Sequence, residues 1–211
     1  MNQLDLFGNV VSPAKKTNLS KGLIMIENGE YEFIPNFFKK SESDTFFNNL
    51  KNNIEWKQES MNMYGKQVNF PRLTAWYGDN DKPYSFSGIT LSPKIWTDDL
   101  IAIKNKIEPE SLVKFNSVLL NRYRNGNDSI SWHTDAEREL GRNPIIASVN
   151  FGATRKFQLR HTKTNEKLEI ELTHGSLLIM RGELQHFWQH QVPKTKELKT
   201  ERISLTFRVI K

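Results

Sequence analysis

The chain has 211 residues, with 30 Lys plus Arg against 24 Asp plus Glu, five His, no Cys and 37% hydrophobic residues. That length suits one globular domain whose core stands without covalent staples. The lack of cysteine excludes a disulfide framework, thiolate-bound zinc, an iron–sulfur cluster and a thiol nucleophile, so a catalytic metal has to be held by His and carboxylate groups. No apolar run reaches the roughly 18 residues of a membrane span, and the start of the chain has neither a charged leader nor a long apolar stretch. A cytoplasmic monomer without membrane attachment is expected. The net charge of +6 suits a polyanionic partner.

Residues 1–21 read as a flexible tail and 22–211 as one domain, because the stretch from Val10 to Lys21 is small, polar and without a period. From Leu23 to Ile34 the pattern is strand-like around the turn dipeptide Asn28-Gly29. A helix follows, with Ser41 or Ser43 as the expected cap and Phe46, Phe47, Leu50 and Ile54 at helical spacing. The next stretch, Met61 to Asp79, is too aromatic for a linker. A second helix is expected after Ser92-Pro93, which supplies cap and first-turn proline ahead of Trp96, Leu100, Ile103 and Ile107. From Asn116 onward the period becomes two. The runs SVLLNRY, IIASVNF, KFQLRH, KLEIEL, SLLIM and RISLTFRVI are separated by turn residues about ten positions apart, as in β-sandwiches and jelly rolls. The expected fold class is α+β, with helices first and a jelly roll second.

The chemistry is concentrated in the second half. His133 and Asp135 are two apart, so in an extended segment they project from one face. A second histidine from a distant strand, His186 or His190, would complete a two-His-one-carboxylate triad, which leaves positions open for Fe(II), a co-substrate and O2. Alone, His-x-Asp is as well explained by a surface turn. The strand Arg202 to Arg208 adds weight, because Arg202, Ser204, Thr206 and Arg208 fall on one face of an apolar segment. If buried, two guanidiniums need an anion, and a small dicarboxylate matches their fork. If instead that face meets solvent, both are ordinary surface residues.

These residues bring out a family likeness. Asn121-Arg122-Tyr123, His133-Thr134-Asp135, Ser148 to Gly152, His174 to Leu178, His190-Gln191-Val192-Pro193 and Arg202 to Arg208 resemble the AlkB family of Fe(II)- and 2-oxoglutarate-dependent dioxygenases, nearest the branch acting on alkylated duplex DNA. The likeness continues upstream through Pro71-Arg72, Tyr84 to Gly88 and Leu91 to Pro93. It implies a double-stranded β-helix buttressed by N-terminal helices and carrying a nucleotide-recognition hairpin or lid. It further implies His133, Asp135 and His190 as iron ligands, with His190 preferred over His186 for its His-x-x-Pro context. Asn121, Tyr123, Arg202, Thr206 and Arg208 would hold 2-oxoglutarate, Arg202 taking the remote carboxylate. The implied activity is direct repair of 1-methyladenine and 3-methylcytosine in DNA by oxidative demethylation, consuming O2 and 2-oxoglutarate and releasing formaldehyde, succinate and CO2. The same reaction on RNA, a non-catalytic lesion-binding module and a zinc hydrolase with the same ligands are the rivals; the last gives the paired arginines no task.

For the base, the resemblance points to Phe86 stacking against the His133 ring, with Tyr84 beside it and Arg72 close by; Glu137, two residues past Asp135, points the same way if the strand continues, and its carboxylate would favour a cationic methylated base. Met63-Tyr64-Gly65 falls where the duplex-acting branch has an apolar finger that fills the gap left by an extruded base. Tyr64 replaces the expected Phe, and Ala136 stands where that branch often carries a second acid. Arg155, Lys156, Arg160, Lys163 and Lys167, opposed in sequence only by Glu166, together with Lys194, Lys196 and Lys199, are expected to grip phosphates. Finally, Gln3-Leu4-Asp5-Leu6-Phe7 is similar to the clamp-binding motif of bacterial replication and repair proteins, so a sliding clamp is an expected partner and the bacterial cytosol the expected location.

Overall fold

The computed structural model describes residues 15–16, 22–63, 65–79, 84–86, 89–91, 93–197 and 199–211, with only the backbone at 15–16, 63, 84–86 and 89–91. In chain order the elements are β1 (Lys15–Lys16), β2 (Leu23–Ile26), β3 (Gly29–Ile34), α1 (Lys40–Asn53), β4 (Ser60–Met63), β5 (Lys66–Asn69), β6 (Leu73–Gly78), β7 (Tyr84–Phe86), β8 (Ile89–Leu91) and α2 (Asp98–Ser111). The jelly-roll half follows as β9 (Ser117–Tyr123), β10 (Ile130–His133), a single 3-10 turn (Arg138–Leu140), β11 (Ile146–Gly152), β12 (Arg155–His161), β13 (Lys167–Leu172), β14 (Ser176–Arg181), the short helix α3 (Leu184–Phe187), β15 (Trp188–Val192) and β16 (Arg202–Arg208).

Two sheets face each other. The major sheet runs β2-β3-β14-β11-β16-β9-β6 and the minor sheet β1-β13-β12-β15-β10, while β4-β5 and β7-β8 are separate hairpins. Period-two strands give the major sheet two buried faces. Its outer face, with Val149, Phe151, Leu177, Ile203, Leu205 and Phe207, packs on Leu50 and Ile54 from α1 and its end, and on Leu100, Ile103 and Ile107 of α2. Its inner face meets Phe157, Leu159, Ile170 and Trp188 of the minor sheet. The expected helix-buttressed jelly roll is the observed fold, and no helix among the described residues is long and apolar enough to cross a membrane.

The Asn28-Gly29 hairpin forms as expected, with Asn28 at φ 53° in the left-handed turn that Asn tolerates. Both helix caps differ from expectation. Helix α1 begins one residue after Lys39, whose N–H donates to Glu42 Oε2 at 3.0 Å, and Ser43 turns inward to donate to Lys39 O at 3.0 Å. Thr97, rather than Ser92, caps α2, its Oγ1 accepting from Leu100 N–H at 3.4 Å, with Asp98 and Asp99 in the first turn. A cap needs an extended residue immediately before the first helical one, and Pro93 lies too far upstream to set that position. Of the segment read as a tail, Lys15 and Lys16 pair in parallel with Leu168 and Glu169, while the pentapeptide Gln3 to Phe7 lies outside the described residues. At Gly175, φ is +75° and a Cβ would collide with Ser43 Oγ, so this glycine lets the β13–β14 turn close onto the start of α1.

Candidate metal centre and adjoining cleft

Strand β10 pairs antiparallel with β15, setting His133 directly opposite His190, with an irregularity between Ile130 and His133. The two rings lie 4.2 Å apart at 62°. The chain leaves the strand after His133 and brings Asp135 back beside them, so that one ligand atom from each of the three lies within 4.8 Å of the others. His186 sits on α3 instead, its Nε2 accepting from Asn143 N–H at 3.4 Å, so of the two candidates it is His190 that stands with His133 and Asp135. His174 and His161 serve the scaffold. His174 Nδ1 accepts from Gly152 N–H at 2.8 Å and its Nε2 faces Asp44 at 3.1 Å, whereas buried His161 stacks on Phe187.

Neighbouring groups fix the state of each ligand. His133 Nδ1 lies 2.8 Å from the Ser131 carbonyl, which can only accept, so Nδ1 carries the hydrogen and the Nε2 lone pair is left for a metal. Asp135 is 1% exposed. Burial works against its charge, but Arg208, with His190 and His133, outweighs that and holds the carboxyl at about 2. Arg208 Nη2 donates to Asp135 Oδ1 at 2.7 Å, leaving Oδ2, 3.9 Å from His190 Nε2, as the oxygen turned toward the histidines. Burial, followed by the charges of His133 and Arg208, depresses His190 to about 3 despite the pull of Asp135, so its ring is neutral at ordinary pH.

Arg202, Ser204, Thr206 and Arg208 all line the cavity that holds the three ligands, with Asn121, Tyr123 and Ser148 on its walls. The solvated alternative for β16 is therefore excluded: Arg202 and Arg208 are each 2% exposed. The two guanidiniums have different tasks, though. Arg208 finds its anion in Asp135, while Arg202 lies 4.9 Å over the Tyr123 ring and gives one nitrogen to Asn150 Oδ1. Its Nε and Nη1 are buried with no hydrogen-bond partner among the described residues. Buried guanidinium donors left without a partner call for an anionic acceptor, which a carboxylate supplies. The site thus fits both an iron ion and a keto diacid.

Beyond His133 a cleft of about 290 Å³ opens between Met61, Val68, Phe70 and Pro71 on one side and Ile130, Trp132, Thr134 and Glu137 on the other. Glu137 does not continue β10 but precedes the 3-10 turn; it still reaches the cleft, with Oε2 buried and unpartnered among the described residues. Arg72 lines the same cleft, but its Nε donates to Asn121 Oδ1 at 2.8 Å and its Nη1 to Ser129 O at 3.3 Å. Gly65, at φ +76°, turns the β4–β5 hairpin. Tyr64 lies outside the described residues, and for Met63, Tyr84 and Phe86 only the backbone is described, in β4 and β7.

The basic cluster looks different in space. Arg155 is buried and donates to the carbonyls of Asn125, Asp128 and Pro193, so it braces loops rather than meeting phosphates. Opposition is not limited to Glu166, because Lys156 pairs with Glu169 at 3.0 Å across the β12–β13 ladder and Lys199 with Glu197 at 2.7 Å. Arg160 lies 4.6 Å over Trp132 and donates to Gln189 at 2.7 Å, whereas exposed Lys163 sits 5.0 Å over Phe187. Two residues escaped sequence reasoning. Asn150 orients Arg202 and also accepts from Ser204 at 3.3 Å; its signal is the polar alternation of Ser148 and Asn150, which pair across to Thr206 and Ser204. Gln185, whose Oε1 accepts from Asp135 N–H at 2.9 Å, has no such signal.

Comparison with known proteins agrees with this geometry. Residues 30–208 match the family model described as the 2OG-Fe(II) oxygenase superfamily. The bovine "Alpha-ketoglutarate-dependent dioxygenase alkB homolog 3" is 44% identical over 186 residues, 83% of this chain and 64% of that protein. The human protein of that name is 42% identical over the same shares. The bovine "DNA oxidative demethylase ALKBH2" is 38% identical over 216 residues, covering 96% of this chain and 76% of that protein. The chain thus spans less than two thirds of the alkB homolog 3 relatives. The solved structure of OsALKBH1 superimposes with a TM-score of 0.57 at 16% identity, covering 89% of this chain and all of that one, which bears on the fold alone.

Proposed function

Because this chain belongs to the 2OG-Fe(II) oxygenase superfamily, and within it to the AlkB family, we propose that it removes N-methyl groups from DNA bases such as 1-methyladenine and 3-methylcytosine by oxidation. The observation that carries this reading is the convergence of His133, Asp135 and His190 on one cavity with the unpartnered donors of Arg202. Bound iron and 2-oxoglutarate supply the oxidation, in which O2 is consumed, the co-substrate leaves as succinate and CO2, and the oxidised methyl group departs as formaldehyde.

The chain supplies ligands, orientation and exclusion. His133 Nε2, His190 and Asp135 Oδ2 would hold the metal, and Arg208 keeps the acid ionised and confines it to one oxygen. Arg202 would take the remote carboxylate of 2-oxoglutarate through its unpartnered Nη1, with Tyr123 and the Ser204 and Thr206 hydroxyls beside it. Asn121 Oδ1 is occupied by Arg72, so its amide NH2 is the group left for the co-substrate. Apolar Leu119, Ile130, Phe157, Leu172, Met180 and Val192 complete the walls and keep bulk water from this reaction space.

The cleft above His133 would receive a base extruded from the stack, since a methyl group inside a duplex cannot reach the metal. Glu137 presents its carboxylate there and favours a base made cationic by alkylation. Tyr84, Phe86 and the finger Met63-Tyr64-Gly65 would complete stacking and gap filling, with Arg160 and Lys163 toward the nucleic acid. The relatives named DNA oxidative demethylase support DNA as the substrate. Matched methylated DNA and RNA oligomers test this. Demethylation of DNA in preference to RNA is expected, and a preference for RNA would reject the substrate assignment.

The pentapeptide Gln3-Leu4-Asp5-Leu6-Phe7 would tether a monomeric enzyme in the bacterial cytosol to the sliding clamp and raise its effective concentration on DNA. Clamp pull-down should be lost in Leu6→Ala/Phe7→Ala. Equal capture of that variant and the wild type would remove the tether.

A further inference from the structure

We propose that Gln185 is a positioning residue of the metal centre: it fixes the iron-binding acid by holding that residue's backbone, and the centre loses metal affinity without it. This rests on the reading of His133, Asp135 and His190 as the iron site.

Gln185 lies in the four-residue helix α3, five positions before His190, and is 1% exposed. Its Oε1 accepts from the Asp135 N–H at 2.9 Å. The amide orientation follows from chemistry. A backbone N–H can only donate, so the oxygen must face it, and Nε2 is left to donate to Met180 Sδ at 3.7 Å, a weak but directionally consistent contact. Asp135 is therefore held at two points, by Gln185 at its backbone and by Arg208 at Oδ1.

The backbone hold matters because Asp135 is no longer in a strand. Strand β10 ends at His133, and the ladder that fixes His133 against His190 does not extend to the acid. Gln185 replaces the missing ladder bond. It comes from the same short segment that carries His190, so one stretch, Gln185 to His190, sets the positions of both ligands relative to each other. Without the acceptor, the buried Asp135 N–H has no partner, and the loop can be satisfied only by moving the carboxylate away from the histidines.

Mn(II) binding to the metal-free full chain, followed by calorimetry and by the Mn(II) paramagnetic resonance spectrum, tests this without turnover. Gln185→Met keeps length and volume but removes the acceptor, and Gln185→Leu is a second variant judged by the same criterion. Loss of supporting partners around metal ligands typically weakens binding about 10- to 100-fold, and a loss in that range with an altered Mn(II) spectrum is expected in whichever variant folds. Gln185→Glu, which retains an acceptor oxygen, should restore the wild-type spectrum. A role confined to stability would lower the melting temperature of the metal-free protein and leave Mn(II) affinity and spectrum unchanged; that result would overturn the proposal. Wild-type protein that binds no Mn(II) would instead overturn the iron-site reading beneath it.

Discussion

The two arginines of β16 look alike in sequence but face different partners, and this separates what their loss should do. Arg208 neutralises a buried carboxylate, so Arg208→Leu leaves Asp135 as an uncompensated interior charge. Breaking a buried pair in this way costs about 3–5 kcal/mol, and denaturant melts of the metal-free protein should show a loss in that range. Arg202 contributes unpartnered guanidinium donors, so Arg202→Lys keeps the charge but forfeits the fixed, planar donor set. The KM for 2-oxoglutarate should rise at least about tenfold while Mn(II) affinity stays near wild type, since one lost charge-assisted bond is worth roughly 1.5–3 kcal/mol. The ligands also make metal-free stability depend on pH. Folded His190 resists protonation down to about 3 and folded Asp135 down to about 2, whereas in the unfolded chain these groups take up protons near 6.5 and 3.9. As pH falls, the unfolded state binds protons first, so the stability present above about 6.5 is progressively lost below it, by about 2 kcal/mol at pH 5 from His190 alone. Melting temperatures of metal-free protein between pH 7 and 5 should show this fall, and His190→Leu should flatten it. A parallel fall in the variant would contradict the assignment.

Strands of the jelly roll were legible almost to their ends because they are buried on both faces. In β16, Ile203, Leu205 and Phe207 meet the helices while Arg202, Ser204, Thr206 and Arg208 meet the cavity, so the alternation in sequence is the alternation in space. The His-Asp-His cluster was partly legible: spacing put His133 beside Asp135, although a bend after the strand rather than strand alternation brings them together, and spacing could not choose between His186 and His190, of which the register of β10 on β15 places His190 opposite His133. What stayed hidden depends on partners far away in sequence. Gln185 reaches Asp135 fifty positions away, and Arg155, read as a phosphate contact, is consumed by carbonyls of two distant loops. Helix starts were missed because a cap is defined by local backbone shape, which Ser92-Pro93 mimics in composition but Thr97 adopts. Thr97→Ala should therefore destabilise the protein by about 1 kcal/mol in denaturant melts, with activity per folded molecule unchanged.

Taken together, the described residues form a two-sheet sandwich whose major sheet is packed from outside by α1 and α2, and the cavity between the sheets adjoins a cleft beside the β4–β5 hairpin. Its net charge of +6 overstates the grip on nucleic acid, since Arg155 is internal and Lys156 and Lys199 are paired. Lys194 and Lys196 are exposed on the loop after His190. Each phosphate contact contributes about 0.9 to the slope of log affinity against log salt, so Lys194→Ala/Lys196→Ala should lower the magnitude of that slope by about 2 on duplex DNA. The proposed activity requires these parts to be coupled: metal ligands, keto-acid donors and base cleft must act in one turnover. Mass spectrometry of a 1-methyladenine-containing DNA oligomer incubated with Fe(II), 2-oxoglutarate and O2 reads this directly. One methyl group lost for each succinate formed, with both products absent in Asp135→Ala, is the predicted result; an oligomer that keeps its methyl group, or demethylation that persists in Asp135→Ala, would contradict it.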